Sequence, residues 1–251
     1  MQDIDVVMLT KNSEHLLDKC IASIYQNVPV NNFIVVDGFS TDRTLKILDA
    51  VNEKYGNVTV LSINGSRARA REKGIAQVKT EWFMFADSDV VLSENWFRKA
   101  KDNIQSDVGA VWGVNIDVIP NFRDRRILKL QTVIARECFN LRGGTHDTLI
   151  RRDLVEDIRI PEELHTYEDF FIMKWIKDKG YRAVVGEGIY CLHYKPPANW
   201  SLKNAIGGAI LELRCGLMSS RNFSYMLYYP FFMFYWFLQI ALQSIKKLLP
   251  T

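Results

Sequence analysis

The sequence predicts an α/β protein whose open sheet is flanked by helices. Short apolar runs alternate along the chain with segments whose apolar residues recur at helical spacing, an alternation that is typical of βαβ units. The first of these runs are largely apolar and end in polar turns, which indicates buried strands. They are Ile4–Thr10, Asn32–Asp37, Val58–Ile63 and Glu81–Asp87.

Helices are predicted between these strands and beyond them. Those between the strands are His15–Tyr25, Asp42–Gly56 and Ser66–Thr80. The second half of the chain is less regular. It begins with a long strand or a bent pair of strands at Asp107–Ile119, a basic-faced helix at Phe122–Asn140 and a glycine-rich turn at Arg142–Arg152. A helix at Phe170–Gly180 and one or two strands in 181–194 follow. In sheets of this kind ligands bind outside the carboxyl ends of the strands, so functional residues are expected there.

Composition excludes several classes of protein. With 251 residues, 48% of them apolar and 24% charged, the chain has enough apolar side chains for one large core. Whole-chain disorder, coiled coil and collagen are therefore excluded. A net charge of +3 is too small to predict nucleic acid as a partner, since phosphate binding needs a concentrated basic face.

The cysteines predict free thiols rather than a metal or redox motif. Cys20, Cys138, Cys191 and Cys215 lie far apart without a C-x-x-C pair, so buried thiols in a reducing compartment are expected. The first residues enter a strand directly, without the basic and long apolar regions of a secretory signal. We therefore expect the protein on the cytoplasmic side of a membrane.

The C-terminal residues predict contact with that membrane. No charged residue stands between Asn222 and Ile245, and Ser201–Met218 carries apolar residues at the spacing of an amphipathic helix. The uncharged stretch is long enough to cross a hydrocarbon core of about 30 Å, although a buried core helix is the alternative. We predict two domains, 1–200 and 201–251, the second made of amphipathic and apolar helices that associate with membrane lipid.

Two acidic motifs follow predicted strands. Asp87 and Asp89 stand at the end of the fourth strand, where two carboxylates can bind one Mg²⁺ or Mn²⁺ ion. A solvated turn at the strand end is the alternative. Asp37 ends the second strand and would face the same edge, where it can accept a hydrogen bond from a base or a ribose hydroxyl. A turn aspartate that caps a helix would look the same in the sequence.

Basic and acidic residues further along fit the same kind of site. Three arginines stand at the start of the third helix: Arg67, Arg69 and Arg71. Guanidinium groups near a helix start can bind phosphate oxygens. The more common reason for such a run of arginines is a solvated basic face. Asp169, with Glu168, opens a later helix. Asp169 is a candidate general base. Alternatively, its negative charge simply stabilises the positive end of the helix dipole. His193 is either a core histidine or a third metal ligand.

The order of these motifs resembles family 2 of the glycosyltransferases, which have the GT-A fold. The family's turn after the second strand is similar to Val35–Asp42, and its A-R-N-x-G helix is similar to Ala70–Gly74. Its D-x-D motif is similar to Asp87-Ser88-Asp89, and its E-D helix start to Glu168-Asp169. Each motif is short, but the set stands in the family's order.

The resemblance implies a Rossmann-like open mixed sheet flanked by helices, and a role for each matching residue. The residues implied to hold the nucleotide are Thr10, Asp37, Arg71 and Asp87. The residues implied to bind the divalent cation at the diphosphate are Asp87, Asp89 and His193. Asp169 would be the base of an inverting displacement at the anomeric carbon, in which an acceptor oxygen attacks opposite the departing nucleoside diphosphate.

The chain departs from the family's pattern near the nucleotide. Asp-Gly-Phe at 37–39 replaces the usual Asp-Asp-Gly, which removes one carboxylate. Lys11 replaces a common aromatic residue, and Glu72 replaces asparagine. The identity of the nucleotide base therefore does not follow from the resemblance.

We predict a metal-dependent, inverting glycosyltransferase that uses a UDP or GDP sugar with Mn²⁺ or Mg²⁺. Its expected acceptor is a polyprenyl-linked phosphate or saccharide, or another surface-glycan precursor, at the cytoplasmic face of the membrane. Two alternatives stay open. A sugar nucleotidyltransferase would want a glycine-rich loop after the first strand, which LTKNSEHLL lacks. A non-catalytic, membrane-anchored scaffold on the same fold is the second.

Overall fold

The computed structural model shows a mixed sheet of eight strands in the residues that it describes. These residues are 3–118, 144–162, 164 and 167–194, with the single helical positions Ile206, Ile210, Phe234 and Leu238. The chain divides into two units. Apart from Val118 and the four single positions, the described residues belong to the first, Met1–Asp117 with Gly143–Tyr194.

Strands and helices alternate through the first half, as the sequence predicts. The described strands are β1 (Ile4–Thr10), β2 (Val30–Asp37), β3 (Val58–Ser62), β4 (Trp82–Asp87), β5 (Val90–Leu92), β6 (Val108–Asp117), β7 (Asp147–Arg151) and β8 (Arg182–His193). The described α-helices are α1 (Leu17–Asn27), α2 (Thr44–Tyr55), α3 (Arg67–Ile75), α4 (Trp96–Lys101) and α5 (Glu168–Asp178). One turn of 3-10 helix covers Arg152–Leu154.

The strand order in the sheet is β3-β2-β1-β4-β7-β6-β8-β5. The first four strands in this order are parallel, β7 runs antiparallel to β4 and β6, β8 runs parallel to β6, and β5 antiparallel to β8. This order confirms the open mixed sheet. The residues predicted to form one or two strands in 181–194 form the single strand β8.

The register brings the ends of the parallel strands to one edge of the sheet. Thr10 at the end of β1 lies opposite Asp37 at the end of β2. Leu9 lies opposite Asp87, the last residue of β4. The polar residues that follow three different strands are therefore neighbours, which is the arrangement that the sequence predicts for a ligand site.

Helices cover both faces of this sheet. Along β1, Val6 and Met8 pack on the face that α1, α2 and α4 cover, while Val7 packs on the face of α3 and α5. Helix α3 approaches β1 very closely at Gly74, where a Cβ atom would lie 2.4 Å from Cγ1 of Val7. The glycine of this helix is thus a packing requirement.

Several helix ends differ from the prediction, because backbone groups there bond to other parts of the chain. Helix α3 ends at Ile75 rather than near Thr80, since the amides of Lys79 and Thr80 donate to the carboxylate of Asp5 instead of continuing the helix. The contacts of Asp5 with Lys79 and Thr80 join residues far apart in the chain, so periodicity does not reveal them. Helix α1 begins at Leu17 rather than His15, and the amides of Leu16 and Leu17 donate to the backbone oxygen of Ser13.

Other predictions fall outside the described residues or stay untested. The predicted helix Phe122–Asn140 and nearly all of the predicted segment 201–251 lie outside them. No helix among the described residues is long and apolar enough to cross a bilayer. The division at residues 200 and 201 stays a prediction.

Two of the cysteines are buried free thiols, as expected. Cys20 and Cys191 are buried and form no disulfide. Burial raises the pKa of Cys20 to about 12, so its thiol stays protonated at neutral pH and is a poor nucleophile. Cys138 and Cys215 lie outside the described residues.

The side chain of Asp5 stabilises the amino-terminal ends of the parallel strands, opposite the site. Replacing this side chain tests its contribution to the fold. The side chain is fully buried and accepts hydrogen bonds from the side-chain amide of Asn31 at 2.7 Å and from the amides of Lys79 and Thr80 at 2.6 and 3.2 Å. Asp5→Ala leaves these donors unpaired, so we expect a loss of about 2–4 kcal/mol in the free energy of unfolding. Urea denaturation measures it.

The matched control is Asp3→Ala, because Asp3 is exposed next to the same strand. It should change the free energy of unfolding by less than about 0.5 kcal/mol. Equal stability of the Asp3 and Asp5 variants would show that the Asp5 hydrogen bonds do not hold the end of α3 against β1.

Candidate active site

Asp37 is the centre of the loop that follows β2. Its carboxylate is fully buried. Oδ1 accepts hydrogen bonds from the hydroxyls of Thr10 at 2.8 Å and Ser40 at 2.6 Å, and Oδ2 accepts the amide of Ser40 at 2.8 Å. The structure therefore brings Thr10 and Asp37 together, as the sequence predicts, and shows that Asp37 orders the turn in which it lies.

The loops after β1, β2 and β4 are joined by hydroxyl contacts. The amide of Asn12 donates to Oγ of Ser40 at 2.8 Å, and the hydroxyls of Ser13 and Ser88 are 2.9 Å apart. Ser88 lies between the two aspartates of the Asp-Ser-Asp motif. A ligand that orders one of these loops will thus affect the other two.

Arg71 is a buried cation beneath this edge. Its guanidinium lies 4.7 Å from the ring centre of Phe85, and Nη2 lies 3.1 Å from Oδ1 of Asp87 and 4.0 Å from Oε1 of Glu168. Within the described part of the chain, Nε and Nη1 are buried without a hydrogen-bond partner. Because an unpaired buried donor is unfavourable, these groups indicate an acceptor from a ligand.

The other two arginines at the start of helix α3, Arg67 and Arg69, are exposed. They fit the alternative given for this run of arginines, which is a solvated basic face. Arg71 alone of the three is buried, because its position on the helix turns toward the sheet.

Asp87 is held in its ionised form. Burial is the largest influence on this carboxyl and raises its pKa, but the charges of Arg71, His193 and His146 and the hydrogen bond from Arg71 together outweigh it, so that the pKa lies below its ordinary value. An ionised carboxylate is what a metal ion or the N–H groups of a ligand require.

His193 joins the Asp-Ser-Asp motif. Strand β5 pairs with the end of β8, which sets Val90 opposite His193. Nε2 of His193 then lies 3.0 Å from Oδ2 of Asp89, and Nδ1 lies 3.2 Å from Nδ2 of Asn115. The structure therefore brings His193 to the predicted metal ligands rather than into the apolar core.

Two of the three predicted ligands, Asp89 and His193, are spaced for a divalent cation. Asp87 does not join them as a third ligand within 4.8 Å, since the group of three that meets this limit among the described residues is His146, Asp147 and Cys191. Two ligands at right angles, each about 2.1 Å from an octahedral ion, lie about 3.0 Å apart, which is the separation of Asp89 and His193. A histidine that binds a metal through Nε2 donates its Nδ1–H to a second group. The amide oxygen of Asn115 is buried and has no partner among the described residues, so rotation of this amide supplies that acceptor.

Glu168 and Asp169 begin helix α5, as predicted. Glu168 is buried beside Arg71. Burial and then the negative charge of Asp169 raise its pKa above the ordinary value, although Arg71 acts in the opposite direction. Oδ1 of Asp169 accepts a hydrogen bond from the amide of Phe170 at 2.7 Å, so its carboxylate does pair with a backbone N–H group in the first turn of its own helix.

Three linked residues near Asp87 were not predicted from the sequence: Trp96, His146 and Asp147. Nδ1 of His146 is hydrogen-bonded to Oδ1 of Asp147, whose Oδ2 accepts the indole N–H of Trp96 at 2.8 Å. The backbone oxygen of His146 accepts the amide of Asp87 at 3.0 Å. The adjacent His and Asp were a visible signal, but nothing in the sequence links them to Trp96.

His146 lies among carboxylates. Burial lowers its pKa, but the charges of Asp147, Asp87 and Asp169 raise it more, so that the pKa lies above the ordinary value. The ring is therefore close enough to the predicted metal ligand Asp87 and to the predicted base Asp169 to interact with both.

A mixed α/β sheet whose carboxyl edge collects a buried arginine and a group of carboxylates defines an enzyme-like site for a phosphate-bearing ligand. The chain belongs to family 2 of the glycosyltransferases: the model of Glycosyl transferase family 2 matches residues 5–160. The match includes Thr10, Asp37, Arg71 and the Asp-Ser-Asp motif.

Two curated relatives are poly(ribitol-phosphate) glycosyltransferases. The chain is 34% identical over 129 residues to poly(ribitol-phosphate) beta-glucosyltransferase of Bacillus spizizenii, which covers 47% of this chain and 20% of the relative. It is 28% identical over 203 residues to poly(ribitol-phosphate) beta-N-acetylglucosaminyltransferase TarS of Staphylococcus aureus, which covers 76% of this chain and 35% of TarS. The chain thus spans about a third or less of the length of these relatives.

Solved structures share the fold. TarS 1-349 of S. aureus in complex with UDP matches with a TM-score of 0.59 at 24% identity, over 84% of this chain and 66% of that one. The mannosyltransferase PcManGT from Pyrobaculum calidifontis, in complex with GDP-Man and Mn²⁺, matches with a TM-score of 0.61 at 16% identity, over 97% and 89%. At these identities the likeness shows the fold alone, a mixed open sheet consistent with the GT-A fold.

The burial of Glu168 predicts that its effect on the stability of the fold depends on pH. A carboxyl whose pKa is higher in the folded chain than in the unfolded chain destabilises the fold once it ionises. Glu168→Gln should therefore raise the melting temperature relative to wild type at pH 7.5, and this gain should disappear as the pH falls below about 4.5, the ordinary pKa of glutamic acid. Differential scanning fluorimetry across this range measures both effects.

Glu53→Gln is the control, because Glu53 is exposed on helix α2. It should leave the melting temperature unchanged at every pH. A Glu168→Gln protein that is less stable than wild type at pH 7.5 would mean that the attraction to Arg71 outweighs the burial of the Glu168 charge.

Proposed function

We propose that this chain transfers a sugar from a nucleotide-diphosphate donor to an acceptor oxygen, with a divalent cation and with inversion at the anomeric carbon. The observation that carries the proposal is the geometry at one sheet edge: Asp89 and His193 at ligand spacing beside the ionised Asp87. Because the chain belongs to glycosyltransferase family 2, we interpret this geometry as the site of sugar transfer.

The donor would lie across the ends of β1, β2 and β4. Thr10 and Asp37 form the buried polar pair at the nucleoside end, and the unpaired N–H groups of Arg71 suit oxygens of the nucleotide. Asp87 would contact the ribose or the cation. Asp89 and His193 would hold Mn²⁺ or Mg²⁺, which when bound supplies positive charge against the leaving diphosphate.

Asp169 is the proposed base. It lies in the first turn of helix α5, and its charge, like that of Asp87, contributes to the raised pKa of His146. In an inverting displacement it would accept the proton of the attacking hydroxyl. If the acceptor is a phosphate, the attacking oxygen is already ionised and needs no base.

The nucleotide and the acceptor are proposed from the relatives. TarS is solved with UDP and PcManGT with GDP-Man and Mn²⁺, which supports UDP or GDP as the nucleotide and Mn²⁺ as the metal. The named relatives act on poly(ribitol-phosphate). This supports a surface-glycan precursor as the acceptor here, carried in our proposal on a polyprenyl lipid.

The alternatives differ from this proposal at identifiable points. A sugar nucleotidyltransferase needs a glycine-rich phosphate loop after β1, and Leu9–Leu17 has no glycine. A non-catalytic scaffold does not need a cation site, so the pairing of Asp89 with His193 favours the transferase.

Metal-dependent nucleotide binding tests the proposal. We expect UDP or GDP with Mn²⁺ to raise the melting temperature of the wild-type protein, since a ligand at 100 times its Kd adds about 2.7 kcal/mol to the stability. Asp89→Ala should abolish the shift. Asp169→Asn should keep it, because Asp169 is proposed to act on the acceptor, but should lower kcat about 100-fold or more with a hydroxyl acceptor.

The control is Asp102→Ala, an exposed aspartate after helix α4, which should alter neither binding nor turnover. Folded wild-type protein without a metal-dependent shift for any nucleotide would overturn the transferase and favour the scaffold. Substantial turnover by Asp169→Asn, with binding intact, would indicate a phosphate acceptor.

We also propose that the C-terminal residues lie against the cytoplasmic face of a membrane. The described positions there are helical and exposed although all are large and apolar: Ile206, Ile210, Phe234 and Leu238. Each pair is four residues apart, so its members lie on one helix face. Basic residues flank the segment at Arg221 and at Lys246-Lys247, where they suit anionic headgroups.

Vesicle cosedimentation tests this placement. With phosphatidylglycerol-containing vesicles we expect the wild-type chain to sediment, and the double variant Ile210→Asp with Phe234→Asp to bind at least about tenfold more weakly, since two apolar side chains are lost from the interface. Leu45→Asp, an exposed apolar position on helix α2, should bind as wild type does. Equal binding by all three proteins would contradict the proposal.

A further inference from the structure

A chain of hydrogen bonds fixes the ring of His146. Asp147 has no exposed surface, and each of its oxygens has a partner: the indole N–H of Trp96 at 2.8 Å on one side and Nδ1 of His146 on the other. A carboxylate oxygen accepts hydrogen bonds, so this contact suits the tautomer of His146 that carries its proton on Nδ1. The ring therefore turns its Nε2 edge away from Asp147.

Two glycines keep this arrangement possible. A Cβ atom on Gly113 of β6 would lie 2.0 Å from Oδ2 of Asp147, where the bond from Trp96 arrives. A Cβ atom on Gly144 would lie 2.7 Å from Nε2 of His146. A side chain at the first position would displace Asp147, and one at the second would cover the edge of the ring that Asp147 leaves free.

The geometry does not favour a metal at this cluster. His146, Asp147 and Cys191 offer three ligand atoms within 4.8 Å of one another. However, Nδ1 and Oδ1 are only 2.5 Å apart, whereas two ligands of one tetrahedral zinc ion lie about 3.3 Å apart. The bond from Trp96 also occupies the other carboxylate oxygen. The cluster is a hydrogen-bonded pair that positions an imidazole.

His146 is adjacent to one end of the proposed reaction and within electrostatic reach of the other. The backbone of His146 bonds to Asp87, which marks the nucleotide and metal end. Asp169, the proposed base, marks the acceptor end and lies within electrostatic reach of the same ring. What lies between a diphosphate and an acceptor oxygen is the sugar that moves from one to the other.

We propose that His146, held by Asp147 and Trp96, contacts a hydroxyl of the transferred sugar through Nε2 and so contributes to the choice of donor. A hydroxyl both donates and accepts, so it can pair with Nε2 in either protonation state of the ring. This inference rests on the proposed function, and it assigns a specificity-determining residue within it.

Calorimetry with the free nucleotide and with its sugars tests the inference. The probe is UDP or GDP, whichever the wild-type protein binds with Mn²⁺, together with a panel of its sugar derivatives that includes epimers. For His146→Ala we expect the Kd of the free nucleotide to stay within about twofold, and the Kd of the preferred nucleotide sugar to rise about tenfold, the effect of one lost hydrogen bond. The ratio of Kd values between the preferred nucleotide sugar and its epimers should become smaller.

Asp147→Asn and Trp96→Phe should produce weaker versions of the same change, since the imidazole remains but is less well held. His146→Gln should recover part of the affinity, because its amide reaches about as far as Nε2. The matched control is His15→Ala, an exposed histidine before helix α1, which should leave every Kd unchanged.

The outcomes separate the two proposals. Wild-type protein that binds no nucleotide with Mn²⁺ overturns the proposed function and this inference together. Nucleotide binding by wild type, with an equal loss for free nucleotide and nucleotide sugar in His146→Ala, overturns the inference alone and gives the residue a structural role. An unchanged preference among epimers does the same.

Discussion

The site depends on one buried charge, the guanidinium of Arg71. It lies against Phe85, touches Asp87, and has Glu168 at the edge of ion-pair distance. Its positive charge acts with His193 and His146 against the burial of Asp87, so that the pKa of that carboxyl lies below its ordinary value, and it partly offsets the burial of Glu168. Helix α3 brings this charge to the sheet because Gly74 allows a contact that any side chain would prevent.

This arrangement is unfavourable for folding and suited to binding. A buried guanidinium with unpaired N–H groups, and a glutamate whose pKa is raised by burial, both lower stability. The cost is offset by a sheet that is covered on both faces, with apolar residues of β1 alternating between two cores. A ligand with acceptor oxygens would relieve the unpaired groups, so part of its affinity is stored in the unliganded fold.

How much of this the sequence predicts depends on how far apart the interacting residues are. The four parallel strands β1 to β4 were predicted within a few residues because a buried parallel strand is a local apolar run, and the residues at the ends of three of them, Thr10, Asp37 and Asp87, then meet through the register alone. The strands β5 and β7 were not predicted, since both are short and pair antiparallel with distant segments. The pairing of His193 with Asp89 depends on a ladder between β5 and β8 that no local pattern reveals. The Trp96–Asp147–His146 chain was missed for the same reason, since it joins helix α4 to a strand start 51 residues later.

The turn at 37–39 shows how a departure from the family's pattern is accommodated. With Gly38 and Phe39 in place of a second acidic residue and a glycine, the backbone of Phe39 lies in the left-handed region at φ 58°, which is strained for a bulky residue. Asp37 compensates by accepting the amide and the hydroxyl of Ser40 on the far side of the turn. The result is a phenylalanine that is 59% exposed, in the loop that follows β2 at the edge where we propose that the nucleotide binds. Strain of this kind persists only where the surrounding contacts over-determine the backbone, and here the buried carboxylate of Asp37 is the contact that does so.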